Sequence, residues 1–508
     1  MTSSGDSNDS LFIEVDSITE GAGLFLGGNL FSQGIDFVKT ILLTQFLGAS
    51  LYGIFAYVVT LFSVVRVLTR LGSDSAILRF LPEFEDKHHK QRRFVTLAYA
   101  TGLFASIIVA AALFITAPII SHYTLDNPLF VDILKITAIV LPFSTTSEIS
   151  CAIFKSINKQ IYDVCISSII KPIFRLLFTS IALILGLSLY GVAAAFVVAG
   201  ILTFISSIVI IWEKTHFQYP VIPTLNETRK YYDYSIPLTF NQFGGFLYNR
   251  ADLLMVGIFL SEQVVGIYKI SVVLSGFLLL PLAGFNQLFP PIASQLYQEG
   301  KTDRLETIYS HISRLILIFT LFPAAVIFVF PADILVIFGK EFTRGSTVVA
   351  VFVIAQMANI VVGPSGYVLM MTDHQYLTSV NTLASGMLNI VLNYVLILKF
   401  GFIGAAVATA SVLSFVNIAR VIEVWYLEGI SPYNGAYLTA LLSGIGSGLS
   451  MYSISLIVPS RYAMIAGIIT GATVYGVLLS TIGLQDKDRQ LLKGILSRID
   501  TELSFSLR

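Results

Sequence analysis

Long apolar runs, broken by short polar stretches, fill the chain from about residue 21 to residue 482. A bilayer core about 30 Å thick needs on the order of 20 apolar residues per helix, so these runs read as membrane-spanning helices. Fourteen can be drawn: 21–47, 51–71, 94–120, 130–153, 161–185, 188–212, 231–259, 262–285, 307–330, 346–371, 374–398, 402–425, 434–457 and 460–482. Beyond them, over 485–508, Leu491, Leu492, Ile495, Leu496, Ile499 and Leu503 recur at helical spacing among Lys493, Arg498 and acidic residues. That is the pattern of an amphipathic helix lying on the cytoplasmic leaflet. Residues 1–20 hold five carboxylates and no Lys or Arg, and no short apolar region with a small-residue cleavage site comes after them. The segment is expected to stay on the mature protein, on the cytoplasmic side.

Composition narrows the class. The 508 residues are 55% hydrophobic and only 12% charged, against roughly 25% charged in a soluble domain. The 31 Lys and Arg balance the 31 Asp and Glu, so no net basic field exists to hold nucleic acid. Cys151 and Cys165, the only cysteines, lie inside apolar runs and offer neither a disulfide framework nor a Cys-rich metal site. The six histidines are scattered without metal-ligand spacing, and no cofactor is implied. The fold class is an all-α polytopic membrane protein.

Orientation is set by the loops, because short loops rich in Lys and Arg stay cytoplasmic. One set of loops, with the C-terminal tail, carries 17 Lys and Arg; the other carries Lys340, Arg344, Lys399 and Arg461. This places both termini in the cytoplasm of a multi-pass protein of the cell membrane. Asn8-Asp9-Ser10 and Asn226-Glu227-Thr228 have the form of glycosylation acceptors, but both fall on the cytoplasmic side and read as spurious.

An internal repeat is visible. Phe46-Leu47 through Gly53-Ile54-Phe55 matches Phe259-Leu260 through Gly266-Ile267-Tyr268, and Tyr190-Gly191-Val192-Ala193-Ala194-Ala195 matches Ile403-Gly404-Ala405-Ala406-Val407-Ala408, both at an offset of 213 residues. A shared offset at two distant places divides the chain into an N-lobe of six spans (21–212), a cytoplasmic linker (213–230), a C-lobe of six spans (231–425) and two further spans (434–482). Six spans is an even number, so both lobes enter the membrane from the same side, as in alternating-access transporters built from parallel repeats. A polytopic glycosyltransferase or polysaccharide polymerase is the contrasting class. It would need paired carboxylates on an outer segment, where Asp126, Asp333 and Glu341 are too dispersed to form such a site. The chain is therefore not expected to be an enzyme, and Gly444, Gly446 and Gly448 inside the thirteenth span read as close helix packing rather than a phosphate cradle.

Charges inside the spans carry the functional reading, since each costs about 2.5 to 3.5 kcal/mol at bilayer depth and needs a partner or a hydrated cavity. In the N-lobe, Asp36 and Lys39, Arg66 and Arg70, and Lys171 and Arg175 each share a helix face. With Lys135 there are six cations against two carboxylates, Asp36 and Glu148, an excess of four that calls for an anion. Arg70, Lys135, Arg314, Arg420 and Glu423 lie near span ends and are expected to snorkel. Arg66, Lys171 and Arg175 lie deeper, with Pro172 loosening the helix between the last two. Arg250 and Asp252, two apart, point to different faces of their helix, so at least one should face the cavity or a neighbouring span. Asp36, Lys39 and Asp252 are candidates for ion pairing or coupling.

The stretch Asn249-Arg250-Ala251-Asp252 through Gly257, then Gly266-Ile267-Tyr268 and Gly404-Ala405-Ala406, resembles the polysaccharide-transport, O-antigen-flippase-like family of the multidrug/oligosaccharidyl-lipid/polysaccharide flippase superfamily. The resemblance covers essentially the whole chain. It implies a two-lobed flippase that carries a polyprenyl phosphate- or diphosphate-linked oligosaccharide to the outer leaflet, with membrane lipids as its surroundings and a glycan polymerase or glycosyltransferases as partners. It places the family's cationic cavity, by residue type, on Arg66, Lys171, Arg175 and Arg250. Multidrug cation efflux, which uses acidic sites, and the peptidoglycan-precursor flippase are the other transporter readings.

Overall fold

The computed structural model describes residues 6–483, which contain eighteen α-helices and no strand. The expected surface helix over 485–508 lies outside the described residues. In chain order the helices are α1 (Asp6–Arg70), α2 (Ser73–Glu83), α3 (His88–His122), α4 (Pro128–Ala138), α5 (Leu141–Ser156), α6 (Gln160–Val164), α7 (Lys171–Ile184), α8 (Ser188–Lys214) and α9 (Leu225–Phe259). They continue with α10 (Glu262–Gly276), α11 (Leu280–Gln298), α12 (Thr302–Val329), α13 (Pro331–Leu335), α14 (Ser346–Val361), α15 (Ser365–Met371), α16 (Gln375–Glu428), α17 (Gly435–Ile457) and α18 (Ser460–Leu478).

All fourteen expected spans fall on helical segments, but among the described residues length and apolarity together mark ten helices as able to cross a membrane, or eleven when α4 and α5, bent by 46°, are taken as one span. Two of the ten each hold two expected spans: α1, broken at Gly48 (φ 70°), and α16, broken at Gly401 (φ 61°). A positive φ is cheap only for glycine, so the sequence turns the helix there without a loop. The expected seventh span, on α9, is not among the ten; Gln242, Asn249, Arg250 and Asp252 make it too polar.

The repeat has a structural expression. The position 213 beyond Gly48 falls in the gap between α9 and α10, and the position 213 before Gly401 is Ser188 (φ 51°), at the start of α8. Gly53 and Gly266, repeat-equivalent glycines, approach each other directly. A side chain at Gly53 would meet the Glu262 carbonyl and the Gly266 nitrogen, and one at Gly266 would meet the Ala49 carbonyl and the Gly53 nitrogen. Ala49 and Glu262 are also 213 apart, so each side of this contact repeats the other, as required where a two-fold axis passes through an interface. Ser50 Oγ donates to Glu262 Oε1 at 3.2 Å beside it.

The described chain forms two compact units. One comprises α1 to most of α10 together with Leu335–Gly345 and Thr382–Thr409. One of its buried clusters joins Ile77, Phe80 and Leu81 of α2, Phe94 and Ala98 of α3, and Ile149, Ile153 and Phe154 of α5. The other comprises Ser271–Ile334, Ser346–Asn381 and the chain from Ala410 onward. Its core sets Phe289 of α11 against Leu305 and Tyr309 of α12 and Val368 and Leu369 of α15. A side chain at Gly444 would come within 2.7 Å of Leu321, and one at Gly446 within 2.7 Å of Leu478, so these glycines let α17 lie close to α12 and to α18. Arg314, expected to snorkel, is fully buried in this unit. Its helix turns the guanidinium inward, where hydropathy near the span end suggested an interfacial position.

Local signals set several helix ends. Asn127 accepts from Leu129 N at 2.9 Å ahead of Pro128, an N-cap with proline in the first turn. Asn226-Glu227-Thr228, read from sequence only as a spurious acceptor, begins α9 through a capping box: the Thr224 side chain accepts from Glu227 N, and Glu227 Oε2 accepts from Thr224 N. Glu227 also takes Arg93 Nη1 at 3.2 Å, which ties the start of α9 to α3.

Candidate functional site

Three helices of the first unit supply the charges. The second half of α1 carries Arg66 and Arg70 one turn apart, α5 carries Glu148 inside the polar run Ser144–Ser150, and α7 begins with Lys171 and carries Arg175 one turn on. A π-helical turn, Cys165–Ile170, leads directly into Lys171-Pro172. Proline has no N–H to donate to the preceding turn, and the extra residue of a π-turn rotates the remainder of the helix by about 100° about its axis. The faces carrying Lys171 and Arg175 are set by that turn.

Glu148 is where these charges meet. Arg66 Nη2 lies 2.6 Å from Glu148 Oε1, Lys171 Nζ 3.5 Å from the same oxygen, and Arg70 Nε 3.8 Å from Oε2. Arg70 Nη1 also pairs with Asp74 Oδ2 of α2 at 3.0 Å. Arg70 is therefore not a snorkelling residue; it bridges two carboxylates, Glu148 of α5 and, four residues on past the left-handed pair Leu71 and Gly72, Asp74 in the first turn of α2. The buried Nε atoms of Arg66 and Arg70 make no hydrogen bond with the protein.

Beside this hub, the Arg175 guanidinium stacks over the Phe196 ring of α8 at 4.8 Å. It has no carboxylate within ion-pair distance among the described residues, although Asp36, Arg66 and Glu148 lie within electrostatic reach. Asp36 is instead paired with Lys39 on the next turn of α1. Five cations, Lys39, Arg66, Arg70, Lys171 and Arg175, thus face three carboxylates, Asp36, Asp74 and Glu148. The excess of four counted along the spans falls to two, because Asp74 joins from outside them and Lys135 sits apart over the Phe114 ring at 5.3 Å.

Arg250 does not join this cluster. It is exposed on α9, and its charged neighbours are Asp252 and Lys269. Asp252 is buried and accepts the Tyr268 hydroxyl of α10 at 2.8 Å and Leu253 N at 2.7 Å. Sequence reading singled out neither Glu148 as a hub nor Asp74 and Phe196 as members. The available signal was an acid in the middle of a short Ser/Thr-rich run within an apolar span. The chemistry the cluster supports is anion handling: several donors with a net positive charge in a membrane segment.

Comparison with known proteins agrees in kind. The model of the polysaccharide biosynthesis protein family matches residues 18–296, and that of the MatE family matches 237–395. The chain belongs to the polysaccharide biosynthesis protein family, within the multidrug/oligosaccharidyl-lipid/polysaccharide flippase superfamily. The probable low-salt glycan biosynthesis flippase Agl15 of Haloferax volcanii is 25% identical over 413 residues, 79% of this chain and 81% of that protein. The probable flippase AglR of the same organism is 25% identical over 254 residues, 48% of this chain and 52% of that protein. Among solved structures, the lipid II flippase MurJ in an inward closed conformation superposes with a TM-score of 0.71 at 16% identity, over 90% of this chain and 98% of that one. An inward-facing multidrug-resistance MATE transporter gives 0.61 at 13%, over 80% and 98%. These structures share the fold.

Proposed function

We propose that this protein moves a polyprenyl phosphate- or diphosphate-linked oligosaccharide from the cytoplasmic to the outer leaflet of the cell membrane by alternating access. The observation that carries the proposal is the convergence of Arg66, Arg70 and Lys171 on Glu148, with Arg175 held beside them on Phe196 and free of a carboxylate partner. A phosphate cannot cross hydrocarbon unaided, but charge-assisted hydrogen bonds from such a cluster hold it while the prenyl tail stays in lipid. Glu148 acts as the internal counter-anion that keeps the cations in place between substrates. Asp36 and Lys39 flank the path, and Arg250, Asp252 and Lys269 form a second charged group on α9 and α10 through which an ion or proton is coupled to transport. A glycan polymerase or glycosyltransferases take the product at the outer face. A cation-efflux transporter would present free carboxylates to its substrate, whereas Glu148, Asp74 and Asp36 are each engaged by a cation.

The test is Arg175→Ala, compared with Arg175→Lys. The alanine variant should accumulate normally in the membrane, abolish surface glycan and leave lipid-linked oligosaccharide on the cytoplasmic leaflet. The lysine variant should keep partial activity, since charge survives and bidentate geometry does not. Normal transport by Arg175→Ala would overturn the assignment of this cluster.

A further inference from the structure

Helix α5 packs against both α3 and α8, whose ends come near the segment joining α8 to α9. Between them runs a groove of about 390 Å³. Val95, Tyr99 and Leu103 of α3 form one wall and Ile208, Ile211 and Trp212 of α8 the other, and Phe217–Pro220 of the linker close one end. Trp212 is 56% exposed and Tyr219 63%, and the apolar face of α3 continues away from the groove through the exposed Phe104, Ile107 and Ile108. In a helix that crosses a membrane such a face meets lipid tails, and Trp and Tyr mark the level of the head groups.

Arg92 is the only charged residue lining the groove among the described residues. Its neighbour Arg93 is paired with Glu227. Arg92 has no carboxylate within ion-pair distance among the described residues, and its buried Nε has no hydrogen-bond partner. An apolar groove with aromatic residues and one unpaired guanidinium at its head matches a lipid in both parts: a hydrocarbon tail for the walls and a phosphate for the cation. The one cation lining the groove suits the single charge of a phosphodiester.

We propose that the groove between α3 and α8 is a binding site for an acidic phosphodiester membrane lipid, with one tail against Tyr99, Leu103 and Trp212 and its phosphate on Arg92. The bound lipid fastens the Phe217–Pro220 segment against the two helices. The proposal stands independently of the transported substrate.

The chain has two tryptophans, so Trp425→Phe leaves Trp212 as the reporter. The full-length variant is placed in phosphatidylcholine nanodiscs containing increasing fractions of phosphatidylglycerol or phosphatidylcholine with brominated tails, which quench tryptophan on contact. Brominated phosphatidylglycerol should quench Trp212 at about fivefold lower mole fraction, the preference that one Lys or Arg confers on an acidic lipid. Arg92→Gln should remove that preference without moving the phosphatidylcholine curve, and Arg79→Gln, at an exposed position outside the groove, should leave it in place. Equal curves for the two lipids in the parent protein overturn the proposal without any variant, as does a preference that persists in Arg92→Gln.

Discussion

Replacing Glu148 by Gln tests the cluster most directly. The change removes the one carboxylate shared by Arg66 at 2.6 Å, Lys171 at 3.5 Å and Arg70 at 3.8 Å, while keeping side-chain shape. A pair at such distances attracts by about 1 kcal/mol in a water-like surrounding and by about 4 kcal/mol at the effective dielectric of a protein. The side chains of Glu148 and Lys171 are 16% and 25% exposed. The loss should therefore approach that of breaking a buried ion pair, about 3 to 5 kcal/mol, because the cations then repel one another without compensation. In thermal unfolding of the purified protein in nanodiscs, Glu148→Gln should melt well below the parent. Farnesyl diphosphate should then recover part of the loss, since a ligand at a hundred times its dissociation constant stabilises by about 2.7 kcal/mol. The parent should gain less, because its own carboxylate competes for the same donors. An unchanged melting temperature in Glu148→Gln, or equal stabilisation of both proteins by farnesyl diphosphate, would refute the idea that Glu148 and the substrate phosphate share Arg66 and Lys171.

Because the Gly53–Gly266 contact is reciprocal, Gly53→Val and Gly266→Val should impair export to a similar degree, read as surface glycan at normal protein levels; a large effect of one with none of the other would contradict the two-fold relation. Tyr268→Phe removes a hydrogen bond to the buried Asp252 carboxylate and should cost about 1.5 to 3 kcal/mol in thermal stability, with the fold retained. Burial, with His88, Arg92 and Lys159 nearby, holds the His216 imidazole below its ordinary value of 6.5. The folded linker therefore favours the neutral ring, in which His216 shares Gln91 Oε1 with His88, and that stability is present above 6.5 and lost as pH falls through the lowered value. Trp212 emission in the Trp425→Phe variant should change with a midpoint below 6.5, and a midpoint at or above it would refute the assignment. Cysteines introduced at Asp126 or Gly345 should react with an impermeant thiol reagent from outside intact cells and ones at His88 or Glu227 should not, and the opposite pattern would invert the topology.

Hydropathy and spacing by themselves determined the class of this protein, because the requirement to satisfy every backbone group in hydrocarbon leaves apolar runs of this length only a helical reading. The 213-residue offset related Gly53 to Gly266 and Ala49 to Glu262, and the four-residue spacings of Arg66 with Arg70 and of Lys171 with Arg175 placed each pair on one helix face. Those signals are local, or repeat along the chain. The partner of each charge was decided by tertiary structure, since pairing across helices depends on rotation and stagger, and one inserted residue, as in Cys165–Ile170, turns a helix face by about 100°. Glu148 became the hub because α5 lies against α1 and against the π-turn that leads into α7, while Asp74 stands four residues beyond Arg70 across the Leu71–Gly72 turn. Arg250, alike in residue type, stands outside the cluster on an exposed face of α9. Hydropathy registers that a cation is buried in a span; only the packing of neighbouring helices supplies or withholds the carboxylate that decides whether the cation is structural or free to hold an anion.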